Sequence, residues 1–481
     1  MKLHLIPEEA RKWWTLAAVA FGLFMIMLDN TVVNVALPSI AADLQIGLSE
    51  LEWIVTGYAL TFASLMLTGG KLADLLGRRR IFIVGLAIFT VSSLFCGLAG
   101  SGELLIGARV VQGAGAALMN PATLSIIAAT FPPRQRGMAI GIWAGVSALA
   151  LAIGPLVGGL LTEHISWSWI FFVNVPIGVI AIAASLLLIP ESKDESAEQR
   201  LDVPGLLTSG IGLFALTYGL IEANTYGWTS GRIVGAFVVA LAMLLAFVLL
   251  ELRQRIPMLD LSLFRSGTFA GANLAVLLVA LAMFGVFFFV SLYMQGVLGY
   301  SAVKTGAAFL PMTILIVLVA PIAGRSSDRF GSRWLMTSGM VLIAIQLFYF
   351  SRLGVDEKYW SLLPAMILGG FGMSLVMTPS AAAAVRALPV DKSGVGSAVL
   401  NAFRQVGGSM GIALIGAIMA HRVGGVEGPA LFRDKQLFVD GFSTALTVAA
   451  LIAVLGAVVS FVLVRAHDRE PTPEGVPEIA A

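Results

Sequence analysis

Asp29 lies well inside the apolar run 14–36. A carboxylate at that depth is costly, so it must be protonated, paired with a cation, or turned toward a water-filled cavity. Burial favours its neutral form and a nearby cation its ionised form. If that balance changes between conformations, the group can take up and release a proton. A permanent structural pair with a buried arginine is the competing assignment. Arg109 is the natural partner, being the only cation within the apolar runs of the N-terminal half. Gln112 and Gly113 follow it by three and four residues, on the same helix face. A guanidinium keeps its proton in a protein, so Arg109 is a fixed charge rather than a carrier. A structural anchor to backbone carbonyls is the competing assignment.

A second cation, Arg404, falls in the run 394–420, with Asn401 three residues before it and Gln405 beside it. Glu222 and Glu163 stand at the ends of apolar runs, where a rim carboxylate is either solvated or a coupling group. Met25, Asn34, Trp53, Tyr58, Met119, Asn120, Phe284, Phe288, Met373 and Met377 are of types that could line a cavity. Methionine adapts to varied shapes and aromatic faces attract cations. Both types also suit lipid-facing helices. Gly154, Pro155 and Gly158, with Gly407 and Gly411 repeating the spacing, allow close helix approach.

No phosphate-binding G-x-x-x-x-G-K-[ST] loop, HExxH or Cys/His metal set occurs, so ATP drive, enzyme activity, metals and cofactors are not expected. The single cysteine, Cys96, lies in an apolar run and excludes a disulfide framework. Charged residues are 12% of the 481 and apolar residues 58%, with mean hydropathy +0.92. That charge share is about half the usual one, too low to cover the surface of a soluble protein this long. The elements that position these groups are therefore membrane helices.

A spanning helix needs about 20 mostly apolar residues. That ruler finds fourteen runs: 14–36, 50–70, 81–100, 103–130, 137–162, 169–190, 203–222, 233–251, 268–295, 303–323, 334–351, 360–385, 394–420 and 441–464. The first is too long for a cleaved signal segment. With the N-terminus inside, connections on that side hold 21 Lys and Arg against 7 on the other. The bias puts both termini in the cytoplasm. The segment 421–440 is long and mixed and is expected as an external excursion.

Gly70-Lys-Leu-Ala-Asp74-Leu-Leu-Gly77-Arg78-Arg79 returns as Gly324-Arg-Ser-Ser-Asp328-Arg-Phe-Gly331-Ser-Arg333. Pro132, Gly137 and Gly154 likewise match Pro389, Gly394 and Gly411. The copies sit eight runs apart rather than six. The expected plan is an all-α polytopic protein of two six-helix bundles with two helices inserted between them: 1–190, 191–255 and 256–481. Two parallel halves with a site between them are a transporter plan.

Four motifs make the chain resemble the fourteen-helix drug/proton antiporter family of the major facilitator superfamily over nearly its whole length. They are Leu28-Asp29-Asn-Thr31-Val-Val-Asn34-Val-Ala-Leu-Pro38, the segment Gly70 to Arg80, Arg109-Val-Val-Gln112-Gly113-Ala-Gly115, and Ala150-Leu-Ala-Ile-Gly154-Pro155-Leu-Val-Gly158-Gly159. The resemblance implies a proton-coupled exporter working by alternating access, in which Arg109 senses or tunes Asp29. It also implies a cytoplasmic latch of Gly70, Asp74, Gly77, Arg78 and Arg79, with Asp328 and Arg329 as a degenerate copy. Gly154, Pro155, Gly158 and Gly159 would be a flexible contact between halves, although simple tight packing fits them equally. Expected substrate contacts are Asp29, Asn34, Trp53, Tyr58, Gln112, Met119, Glu222, Asn401 and Gln405. Expected partners are amphiphilic drugs, protons and a bacterial inner membrane, with no nucleic acid and a functional monomer. A narrow exporter of one metabolite or antibiotic is the alternative, and a passive facilitator without proton coupling a third reading.

Overall fold

A computed structural model describes residues 8–193, 202–254, 257, 259–388, 393–423 and 434–465. Lys2, Arg200, Arg255, Pro389, Lys392, Arg433, Arg469 and half of the expected excursion 421–440 lie outside the described residues, as does the Asp328 side chain. Fourteen described helices are long and apolar enough to cross a membrane. They are α1 (Glu8–Leu44), α2 (Leu48–Leu76), α3 (Arg78–Gly97), α4 (Gly102–Thr130), α5 (Pro133–His164) and α6 (Trp169–Leu188). Next come α7 (Val203–Tyr226), α8 (Gly231–Arg253) and α9 (Gly267–Leu292). The rest are α10 (Ala302–Ala308 continuing as Leu310–Phe330), α11 (Ser332–Phe350), α12 (Tyr359–Arg386), α13 (Ser393–Val423) and α14 (Lys435–Leu463). An even number returns the chain to the side on which it began, here called the terminal face; the other is the far face.

Local chemistry sets the helix ends. Ser101, Asp202, Ser230 and Asp434 each accept a backbone N–H from the first turn of the helix they precede. Gly77, at φ +114°, turns α2 into α3, and Gly331, at φ +78°, turns α10 into α11. Both need the left-handed region that glycine enters freely. They are the equivalent glycines of the repeated motif.

Packing repeats with the same displacement of eight helices. In the first bundle α1 packs on α5, α2 on α4, and α3 on α4 and α6; in the second α9 packs on α13, α10 on α12, and α11 on α12 and α14. Between them α7 and α8 pair with each other, and α7 lodges against α2 and α13. Most of α8, including Leu241, Leu245 and Leu252, points outward, as a lipid-facing helix must.

The halves meet along two seams, α2 with α13 and α5 with α10. Polar contacts between the halves concentrate toward the far face. Glu163 accepts the Val303 N–H (2.8 Å), and Gln295 donates to the Val35 carbonyl (2.8 Å). Deeper, Thr313 donates to the Ala152 carbonyl at 3.2 Å. On the same face of α5 toward the terminal end, Gly141 and Gly145 meet only open space and Met138 is 62% exposed. Pro321 on the facing stretch of α10 is exposed too. This seam is closed at the far face and parted at the terminal face.

Candidate functional site

Asp29 sits midway along α1 with its side chain 0% exposed, and Arg109 of α4 at 1% forms an ion pair with it. The guanidinium binds Asp29 Oδ2 through Nη1, which also reaches Gln112 Oε1 at 2.6 Å. Gln112 Nε2 donates to Asp29 Oδ1 (3.1 Å) and to Ser93 Oγ on α3 (2.7 Å). Asn174 Nδ2 on α6 approaches the same two acceptors at 3.5 and 3.4 Å. Arg109 Nε donates to the Ile54 carbonyl on α2 at 3.1 Å. The Arg109 Cζ lies 4.2 Å from the Tyr58 ring centroid and 5.7 Å from that of Phe171. Five helices of one bundle thus converge on one carboxylate. A buried charge pair is tolerable only when its remaining donors and acceptors are met; both Asp29 oxygens are bonded here, while Asn174 Oδ1 and Tyr58 Oη at the edge of the cage have no partner among the described residues.

Both expectations for Arg109 therefore apply to different atoms: Nη1 pairs with the carboxylate while Nε anchors a carbonyl. Cys96 is buried beside the cage, its Sγ 3.7 Å from Gln112 Oε1. Ser93, Asn174 and the Ile54 carbonyl were not singled out from sequence. Asn174 carried a usable signal, an amide inside an otherwise apolar run.

The expected substrate contacts separate into groups. Asp29, Gln112, Tyr58 and Met119 are interior to the first bundle, Met119 packing where Gly22 and Gly85 bring α1 and α3 against α4. Asn34, 7% exposed, donates to the Asn30 carbonyl on its own helix (3.1 Å). Met25 and Phe288 are fully buried, and Asn120 nearly so. Trp53 faces α7 rather than a cavity, its Nε1 donating to Glu222 Oε1 at 3.0 Å. Glu222 is thus a bonded group, also accepting Ser49 Oγ at 3.1 Å, whereas Glu163 spans the α5–α10 seam. Phe284, Met373, Met377, Asn401 and Arg404 are only half-buried. Asn401 donates to the Ser397 carbonyl (3.1 Å). The buried Gln405 Nε2 has no partner among the described residues, and Arg404 has no ion pair there.

The glycine motif of α5 divides its labour. A methyl group on Gly154 would strike Thr31 Oγ1, and one on Gly158 would stand 2.7 Å from the Val32 carbonyl oxygen, so these two glycines seat α5 on α1. Gly159 faces the other half, where a methyl would stand 2.5 Å from the Ala302 carbonyl oxygen. The Pro155 carbonyl in turn lies against Gly306 of α10. Close packing and inter-half contact are properties of neighbouring residues. Gly407 and Gly411 seat α13 on α9, a methyl on either striking the Leu277 or Leu281 carbonyl.

At the terminal face Asp74 pairs with Arg78 at 2.9 Å, one turn along the chain. Gly70 sits against Pro121 of α4. Glu191, beyond α6, accepts the Arg79 N–H at 3.1 Å and lies 3.7 Å from both the Arg79 and Arg80 guanidinium groups. Arg79 Nη1 also reaches the Ile189 carbonyl (3.2 Å), and the Arg78 N–H reaches the Ser192 carbonyl (2.8 Å). The basic connection is tied to its own bundle in this conformation. Glu191 is a partner that sequence reasoning missed.

These features define a class: a polytopic helical membrane transporter of two like bundles with a buried acid–base cage in the first. The Major Facilitator Superfamily matches residues 19–412 and again 272–480. The chain is 35% identical to the tetracenomycin C resistance and export protein of Streptomyces glaucescens, covering 98% of this chain and 95% of that one. It is 37% identical to a puromycin resistance protein of Streptomyces alboniger, over 95% and 92%. A multidrug transporter protein of Bacillus subtilis is 32% identical over 88% and 78%. The fold also matches a bacterial homolog of the human lysosomal transporter Spinster, with TM-score 0.67 and 18% identity over 95% of this chain and 97% of that one. The chain belongs to the Major Facilitator Superfamily.

Proposed function

We infer that this protein is a proton-coupled antiporter that exports amphiphilic drugs or toxic compounds across a bacterial inner membrane. One observation carries the coupling. Leu28 and Thr31 flank Asp29; Thr31 Oγ1 bonds the Leu28 carbonyl at 3.0 Å and rests on Gly154 of α5. One residue on, Pro155 rests on Gly306 of the other half. A change of charge at Asp29 therefore acts on backbone a single residue layer from the α5–α10 seam. Protonation releases Arg109 from its counter-ion and re-forms the cage; deprotonation restores it. The relatives' names, resistance and export proteins among them, support export as the direction.

The terminal face carries most of the cationic connections and is assigned to the cytoplasm, with both termini inside. The parted seam then opens inward. In this state Asp74 and Arg78 pair within their own bundle, and in the outward-open state the same groups would latch the cytoplasmic ends together. Units 1–190 and 256–481 rock about α7 and α8, held in 191–255, and one monomer suffices. Drug binding falls to half-buried groups such as Phe284, Met373, Met377, Asn401 and Arg404, with Asp29 and Gln112 reached only after the cage opens.

With Asp29 as the only carrier, one proton enters per cycle. Exchange for a monocation is electroneutral, and each pH unit supplies about 1.4 kcal/mol. A neutral or zwitterionic substrate adds about 2.3 kcal/mol per 100 mV of inside-negative potential, whereas a dication works against it. The test is efflux of two unrelated dyes from cells expressing the protein, with and without a protonophore. Export of both, collapsed by the protonophore, is expected. Export that persists after collapse contradicts proton coupling, and protection against one compound alone selects the narrow exporter.

A further inference from the structure

The far-face seam holds an acid that the Asp29 cage does not use. Glu52 lies one turn into α2 and is 2% exposed. Its carboxylate is seated against Gly416 of α13, where any side chain would collide with it. Among the described residues no donor and no cation reaches that carboxylate. Glu222 of α7 is fixed by Ser49 and Trp53, the residues three before and one after Glu52 on α2. Asn224, two residues on, donates to the Ala417 carbonyl at 2.8 Å and ties α7 to α13. First bundle, second bundle and inserted pair therefore meet around two carboxylates.

Among the described residues no cation pairs with them. On α2 the neighbouring Glu50 is occupied as a cap, accepting the Gly47 N–H at 3.0 Å. The facing stretch of α13, from Ala413 to Ala417, carries no ionisable group; His421 and Arg422 come only in its last turn. Tyr218 of α7 lies beside Trp53, and Arg232 of α8 is stacked on the rings of Tyr218 and Tyr226. On α4, whose Ile106 touches the same apolar cluster, Arg109 is committed to Asp29.

We propose that Glu52 and Glu222 form a second proton-binding site at the α2–α7–α13 junction, whose single shared proton holds the far face shut. A buried carboxylate beside a second, half-buried one cannot stay ionised without a cation. The shut seam therefore keeps one proton on the pair. When the seam parts, water reaches Glu52, the O–H bond breaks, and the proton leaves as hydronium to the far-side solution. A ligand favours the state that binds it more tightly, so acid on that side shuts the face and alkali opens it. The inserted pair thereby acquires a role, since α7 supplies the second carboxylate.

The full chain in lipid nanodiscs, spin-labelled at Gly100→Cys and Trp360→Cys, reports the far-face opening by pulsed electron resonance. Gly100 has open space around it and Trp360 is 76% exposed, whereas Cys96 is buried and stays unlabelled. The expected wild-type distance is short in acid and lengthens as pH rises. Glu52→Gln stays short at every pH, its acid distance matching wild type and so showing a folded chain. Glu222→Gln displaces the midpoint by about one pH unit or more, tenfold in proton activity. Gly416→Ala, which unseats the carboxylate, opens the face at a pH where wild type is shut. A wild-type distance indifferent to pH, or a profile unchanged in both Glu52→Gln and Glu222→Gln, overturns the proposal. So does a profile that Asp29→Asn abolishes while Glu52→Gln leaves it intact. No substrate or gradient is used, so the result is independent of whether the protein is an antiporter.

Discussion

Gly158 and Gly159 are adjacent in sequence and give opposite predictions. A methyl on Gly159 would stand 2.5 Å from the Ala302 carbonyl oxygen, against the 3.4 Å at which ordinary contact begins. Both sides are backbone, so relief requires α5 and α10 to separate by the 0.9 Å difference between those two figures. Overpacking of this kind costs about 1–3 kcal/mol. The contact exists only while the far face is shut, so the cost falls on that state alone. A differential of about 1–3 kcal/mol changes a two-state ratio about 5- to 150-fold. Gly158→Ala instead meets the Val32 carbonyl oxygen at 2.7 Å inside the first bundle, where both states bear the cost. The assay is the Gly100–Trp360 distance distribution together with the thermal midpoint in detergent. Gly159→Ala should move the population toward an open far face, and Gly158→Ala should lower the midpoint while leaving the population where it is. Equal shifts in the two variants, or none in Gly159→Ala, would refute a seam that opens at that contact.

Further expectations concern the cage, the terminal face and the driving force. Asp29→Asn leaves a buried arginine without its counter-ion and should cost about 3–5 kcal/mol in stability. Arg109→Gln should cost a similar amount, and the double variant should recover most of it; additive losses in thermal unfolding would mean the pair is not what binds the five helices. Asp74→Asn removes a half-exposed one-turn ion pair and should change stability by less than about 1 kcal/mol. Transport in everted vesicles should nonetheless fall, and activity unchanged in that variant would dismiss the latch. Efflux of matched monocations should outpace that of dications, the gap widening by about 2.3 kcal/mol per 100 mV as potential is imposed. Equal export of both at high potential would defeat a single carrier.

The fourteen helices were legible because lipid leaves no alternative: a run of about 20 apolar residues must satisfy its own backbone. Their ends were not. The polar tips of α1, to Leu44, and of α2, to Leu76, continue the helix beyond the apolar run, where hydropathy carries no signal. Asp29 and Arg109 could be paired from sequence because each charge inside a span needs the other. Ser93 could not, since hydroxyl groups in spans commonly bond their own helix, as Thr90 does to the Leu86 carbonyl, and Asn174, though visible as an amide in an apolar run, carries no sign of its partner. Nothing in the chain marks which polar residue reaches across. Glu222 read as a rim carboxylate because its neighbours Ser49 and Trp53 belong to α2, and where the inserted helices pack is a property of the assembled bundles. Glu52, at the start of an expected span, was hidden for the same reason.

The most direct test of proton coupling through Asp29 is ethidium movement in proteoliposomes under an imposed pH gradient, wild type against Asp29→Asn. Gradient-driven movement in wild type, lost in the variant while the variant remains folded, is the predicted result. Movement that still follows the gradient in Asp29→Asn would contradict the account and shift the carrier to another carboxylate.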